Sequence, residues 1–168
     1  SYMPTYGGFK DAPELQYEGD VLAEVDDVIT LPISIDQFET VGAISLDLNY
    51  RKDLIEVIGV NYGEDFANVD EENGTIRVNW YDMDTKDFSK GSALVEITVK
   101  VKEELDDKTR LFELNSGELA DGKADVIDGV NFKSFSVSTA ADDMGSTSLT
   151  SVNSPNPFKE STNIQFNL

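Results

Sequence analysis

Gly42-Ala43-Ile44-Ser45-Leu46-Asp47-Leu48-Asn49-Tyr50 is the stretch whose reading decides the fold. Ile44, Leu46, Leu48 and Tyr50 fall on one side, and Ala43, Ser45, Asp47 and Asn49 on the other. Successive side chains of a strand point to opposite faces, so a period of two reads as a strand with one face in a core and one facing water or a partner. The same rhythm spreads in both directions. A strand pattern begins near Leu15. In residues 27–35, Val28, Thr30 and Pro32 alternate against Ile29, Leu31, Ile33 and Ile35, and Pro32 suggests an edge or a bulge. Residues 53–60 form a short apolar run. Residues 64–74 read as an acidic loop ending in the turn dipeptide Asn73-Gly74. Residues 75–81 put Ile76, Val78 and Trp80 inward and Thr75, Arg77, Asn79 and Tyr81 outward. Residues 82–91 read as a second polar loop. Residues 92–101 put Ala93, Val95, Ile97, Val99 and Val101 inward and Leu94, Glu96, Thr98 and Lys100 outward. Residues 109–114 and 125–137 complete the set around a turn region at 117–122. Helical periodicity is confined to single turns near residues 53–56 or 102–106. Eight or nine short strands with turns between them predict an all-β, two-sheet sandwich.

The 168 residues suit one domain with a tail. A chain of this length buries about 70% of the surface its unfolded form exposes, so it folds without a disulfide or metal. Thirteen Lys and Arg stand against 33 Asp and Glu, a formal charge of −20. Such a polyanion repels nucleic acid and anionic lipid. Its carboxylates allow a shared calcium ion without requiring one. No apolar run is long enough to span a membrane as a helix. Ser1-Tyr2-Met3-Pro4 opens no signal peptide, so a secreted chain would be a mature or trimmed form. Residues 1–14 read as an irregular lead-in and 15–137 as the sandwich. Residues 138–153, rich in Ser, Thr, Ala and Asp, read as a linker. Residues 154–168 end in an alternating strand, with Thr162 followed by Ile164, Phe166 and Leu168, which must find a partner because a lone strand buries nothing.

Histidine and cysteine are both absent, which removes Ser-His-Asp and Cys-His catalysis and the usual zinc sites. No phosphate-cradling glycine motif is present. Carboxylates are abundant, but abundance is not a pair in a cleft, and the chain reads as no enzyme. None of the acidic clusters fits a calcium-binding loop. Asp82 and Asp84, two residues apart in a turn, come nearest to a metal clamp.

Three segments carry a resemblance to cohesins, the receptor modules of cellulosome scaffolds. Val41-Gly42-Ala43 runs into Leu46-Asp47-Leu48-Asn49-Tyr50 and then Leu54-Ile55-Glu56-Val57-Ile58-Gly59-Val60. The amphipathic stretch 92–101 follows. Gly117-Glu118-Leu119-Ala120-Asp121-Gly122 with Val126-Ile127-Asp128-Gly129-Val130 is similar to the closing segment. The resemblance covers about residues 15–132 and implies a nine-stranded jelly roll. It also implies a non-catalytic module that binds a dockerin-like protein through one flat sheet face. The outward residues concerned are Ser45, Asp47, Asn49, Arg77, Asn79, Tyr81, Leu94 and Glu96. Many type I members carry Asn and Asp where this chain has Ala43 and Ser45.

The tail resembles a second family. Pro155-Asn156-Pro157-Phe158 followed by Thr162-Asn163-Ile164-Gln165-Phe166-Asn167-Leu168 looks like the opening of the C-terminal sorting domain of type IX secretion cargo, broken off within its first strand. That implies a bacterial protein, secreted or held at the cell surface. Two other functions fit the residues. Thr162, Ile164, Phe166 and Leu168 could add a strand to another copy, making a structural subunit. Tyr6, Phe9, Tyr17 and Tyr62 could serve a polysaccharide-binding module.

Overall fold

Alternating apolar residues can leave water only by pairing one sheet's apolar side with another's, and the described residues do this with nine strands. The computed structural model describes residues 14–139. They form Leu15–Ala23 (β1), Val28–Ile35 (β2), Glu39–Tyr50 (β3), Ile55–Val60 (β4), Ala67–Asp70 (β5), Thr75–Phe88 (β6), Ala93–Val101 (β7), Phe112–Ala120 (β8) and Phe132–Thr139 (β9). One sheet has the order β1-β9-β2-β7-β4 and the other β5-β6-β3-β8. The all-β jelly-roll sandwich expected from the sequence is the observed architecture.

The core lies between the sheets. Ile44, Leu46 and Leu48 of β3 are buried, with Ile76 and Val78 from β6. The other sheet supplies Leu31, Ile33 and Ile35 from β2 and Val95, Ile97 and Val99 from β7. Each such side chain stabilises the fold by roughly 1.5–3 kcal/mol when it leaves water. Pro32 lies inside the five-stranded sheet rather than on its edge. It pairs with Glu96 of β7, and the β2–β9 ladder covers only Ser34 and Ile35. Pro32 is therefore beyond that ladder, where its missing N–H breaks no bond, and its carbonyl accepts from the Ser134 hydroxyl at 3.2 Å.

Several expected boundaries are corrected. Residues 64–74, expected as a loop, contain β5, which pairs with β6 from Ala67↔Val78 to Asp70↔Thr75. The expected loop at 82–91 is mostly strand, because β6 runs on to Phe88. Its ladder to β3 jumps from Tyr81↔Ala43 to Lys86↔Val41, so residues 82–85 bulge out opposite the single Gly42. A Cβ at Gly42 would lie 2.7 Å from the Asp121 carbonyl, and one at Gly122 would lie 2.8 Å from the Thr85 methyl. The bulge and the loop after β8 are thus seated beside Gly42, where only glycine fits. Residues 117–120, expected in a turn, are the second half of β8, and the strand expected from 125 starts only at Phe132. The linker at 138–153 and the strand at 154–168 lie outside the described residues, apart from the end of β9.

Candidate functional site

The outer face of the four-stranded sheet is assembled by register. Directly opposed residues of paired strands share a face. Ser45 of β3 faces Asn79 of β6 and Glu118 of β8. Asp47 faces Arg77 and Ser116, and Asn49 faces Thr75 and Glu113. Tyr81 faces Ala43, which faces Ala120 on its other side. Ser45, Asp47, Asn49, Arg77, Asn79 and Tyr81, singled out from the sequence, therefore stand together on one surface.

That surface is polar and internally bonded. The Ser45 hydroxyl lies 3.2 Å from the Asn79 amide oxygen and donates to it. The Asn49 amide donates to Asn115 at 3.0 Å, and Asn115 donates to Asp47 at 3.4 Å. The Arg77 guanidinium lies 3.6 Å from the Asp47 carboxylate, an exposed pair worth about 0–1 kcal/mol. Tyr81 is 69% exposed, and its ring meets that of Phe66 edge-on at 5.8 Å. These bonds orient the side chains without burying them. Their remaining donors and acceptors are left open to a partner.

Leu94 and Glu96 do not join this face. Both belong to β7, which lies in the other sheet between β2 and β4. Glu96 is exposed there, paired with Pro32, on the opposite side of the sandwich. Leu94, expected outward, is fully buried. The β2–β7 register passes from Ile33↔Val95 to Ser34↔Ala93, which leaves Leu94 as an extra, bulged residue. A bulge turns two successive side chains to one side, so Leu94 and Val95 both enter the core.

Other singled-out residues fall elsewhere. The Asp82 carboxylate accepts the Asp84 backbone N–H at 2.9 Å, inside the β6 bulge. Among the described residues no group of three or more carboxylates is placed to hold a metal ion. Tyr17 is half-buried, donates its hydroxyl to the Phe112 carbonyl and carries the Arg110 guanidinium 4.8 Å above its ring. Tyr62 is also half-buried. It packs against Trp80 at 5.7 Å and donates to the Leu94 carbonyl at 2.7 Å, and burial pushes its hydroxyl up to about 12. Neither ring forms an open platform for a sugar. Tyr6, Phe9, Thr162, Ile164, Phe166 and Leu168 lie outside the described residues.

The sequence reading missed Glu113, Asn115, Ser116 and Glu118, the β8 side of the face. Alternation there is broken by a register shift between Asp47 and Leu48, which makes Asn115 an extra residue. The burial of Leu114 and then Leu119, five positions apart, is the only trace of that shift in the pattern.

Comparison with known proteins agrees with this topology. No curated protein matches the chain significantly. The family model described as Cohesin domain matches residues 19–138. Among solved structures, a type I cohesin from a cohesin–dockerin complex of Clostridium thermocellum is 17% identical with a TM-score of 0.52, covering 77% of this chain and 96% of that one. The sixth cohesin of scaffoldin B from Acetivibrio cellulolyticus, solved with a dockerin, is 12% identical with a TM-score of 0.55, covering 75% and 98%. A non-cellulosomal cohesin from the archaeon Archaeoglobus fulgidus is 18% identical with a TM-score of 0.52, covering 76% and 91%. With two sheets of this order and a family match over most of its length, the chain belongs to the cohesin domain family, whose members are non-catalytic protein–protein interaction modules.

Proposed function

We propose that this chain binds a dockerin-like protein module through the outer face of its four-stranded sheet. The observation that carries this is the register of β3 against β6 and β8. It gathers Ser45, Asp47, Asn49, Arg77, Asn79 and Tyr81 into one exposed surface with Tyr81 as its large anchor. Tyr and Arg are the side chains that most often dominate binding energy when a partner excludes water from them. Cohesin structures similar in fold were solved as complexes with dockerins. Ala43 and Ser45 make the β3 part of one end of the face small and neutral. The partner must therefore fit a flat, shallow surface rather than a charged one at that point.

The same family and the tail support a reading of where the chain works. We place it outside the cell, released or at the surface of a bacterium, with Pro155–Phe158 and Thr162–Leu168 acting as the start of a sorting signal.

The test is a titration of a dockerin module from the same organism against Ser45→Arg and Thr30→Arg. Both add one positive charge, but Thr30 lies on the other sheet. Ser45→Arg is expected to weaken binding more than 100-fold and Thr30→Arg to leave it unchanged. Full-strength binding to Ser45→Arg would overturn the assignment of this face.

A further inference from the structure

The register also sorts the face by chemistry. At one end Val126, Ala120, Ala43 and Tyr81 stand in a single row. Val126 is bridged to Ala120, Ala120 faces Ala43, and Ala43 faces Tyr81. Phe66 extends the row through its edge-on contact with Tyr81. Val126 is 52% exposed and Tyr81 69%, with the two small alanines between them. Adjacent strands lie about 4.8 Å apart, so Val126 to Tyr81 spans roughly 14 Å. This is a low apolar floor with a large side chain at each end.

The following rows are polar and carry more carboxylates than cations. Over the described residues of those rows, Glu113, Glu118, Asp47 and Asp70 supply carboxylates, and Arg77, already close to Asp47, supplies the cation. The surrounding chain carries a charge of −20. A segment approaching this face meets an excess of carboxylates over cations, with one neutral apolar strip at its end.

We propose that the Val126–Ala120–Ala43–Tyr81 row seats one aliphatic side chain of the partner, and that Glu118 in the next row and Glu113 two rows further receive Lys or Arg residues on one side of it. The occupant is thus a protein segment in which an aliphatic anchor is followed on one side by basic residues. This rests on the face being the partner-binding surface. It adds which chemistry the face selects and which row discriminates. The apolar row excludes water around the anchor, and the carboxylates set approach rate and orientation.

The probe is a displayed library of random 15-residue peptides, selected against the intact chain. Selected peptides are expected to carry an aliphatic residue with Lys or Arg within a few positions. They should bind Ala43→Arg at least tenfold more weakly than wild type and bind Thr30→Arg as wild type, with both variants melting as cooperatively as the parent. Replacing Glu113 and Glu118 by Gln together should flatten the salt dependence of binding. Recovery of acidic peptides, of peptides with no apolar residue, or of none above background would overturn the proposal. Equal weakening by Ala43→Arg and Thr30→Arg would also do so, because that is charge attraction without a seat. A dockerin that loses Ser45→Arg yet binds Ala43→Arg fully would remove the anchor row and keep the face. One that binds Ser45→Arg fully would remove both.

Discussion

Leu94 and Val95 are neighbours in sequence and both are fully buried, which strict alternation does not allow. The bulge opposite Ile33 and Ser34 allows it. A bulged residue keeps its backbone groups but loses its ladder partners, and Tyr62 reaches across to bond the Leu94 carbonyl at 2.7 Å. Burial pushes the Tyr62 hydroxyl from its ordinary value of 10 up to about 12. A group whose folded pKa is raised keeps its proton in the folded state, so its contribution is full below pH 10 and is lost as pH rises from 10 through 12. Tyr62→Phe removes the hydrogen bond and should cost about 1 kcal/mol at pH 7. In urea unfolding the difference from wild type should shrink by pH 11.5. An equal difference at both pH values would show that the hydroxyl is not held in its protonated form by the fold.

At the scale of elements, β3 is the strand on which the site depends, and its pattern alone identified it. Its inward residues Ile44, Leu46 and Leu48 and its outward residues Ala43, Ser45, Asp47 and Asn49 all stand as their period of two requires. The first half of β6 was legible for the same reason. Its second half was not, because residues 82–85 leave the ladder and destroy the period. Opposite that bulge stands Gly42, whose missing side chain makes room for the Asp121 carbonyl of the loop after β8, and Gly122 of the same loop lies against Thr85 of the bulge. Gly42→Ala puts a methyl carbon 2.7 Å from a backbone oxygen, so the backbone itself must move. A loss of roughly 1–3 kcal/mol is expected. Hydrogen exchange should speed up at Asp121 and Ala124, whose N–H groups bond within that loop. A variant as stable as the parent, with unchanged exchange there, would show that the contact is not tight.

For the whole molecule, the −20 charge and the choice of fold are separate matters. Carboxylates were legible at once, but whether any of them gather around a cation depends on tertiary placement. Among the described residues no three or more do. A ligand bound only by the folded state raises stability as RT ln(1 + [L]/Kd), or about 2.7 kcal/mol at a hundredfold excess over Kd. Melting in EDTA and in millimolar calcium measures this directly, and agreement within about 2 °C would count against a site bound only by the folded state. A rise of 5 °C or more with calcium would place a site in the fold.

By itself the sequence determined that this chain is a non-helical sandwich lacking histidine and cysteine chemistry, with β3 and the start of β6 showing one polar side each. Those features are local, because period two needs only neighbours along one strand. Tertiary structure alone decided which strands share a sheet. The ladder puts β8 beside β3 and sends β7 to the other layer, which brings Glu118 onto the face and takes Glu96 away. It also turned Leu94 into the core. Sheet membership and bulges are set by which backbone finds which partner far along the chain, for example Ser45 with Asn79 and Glu118, or Ser34 with Lys133. A side-chain pattern read along one strand carries no record of that choice.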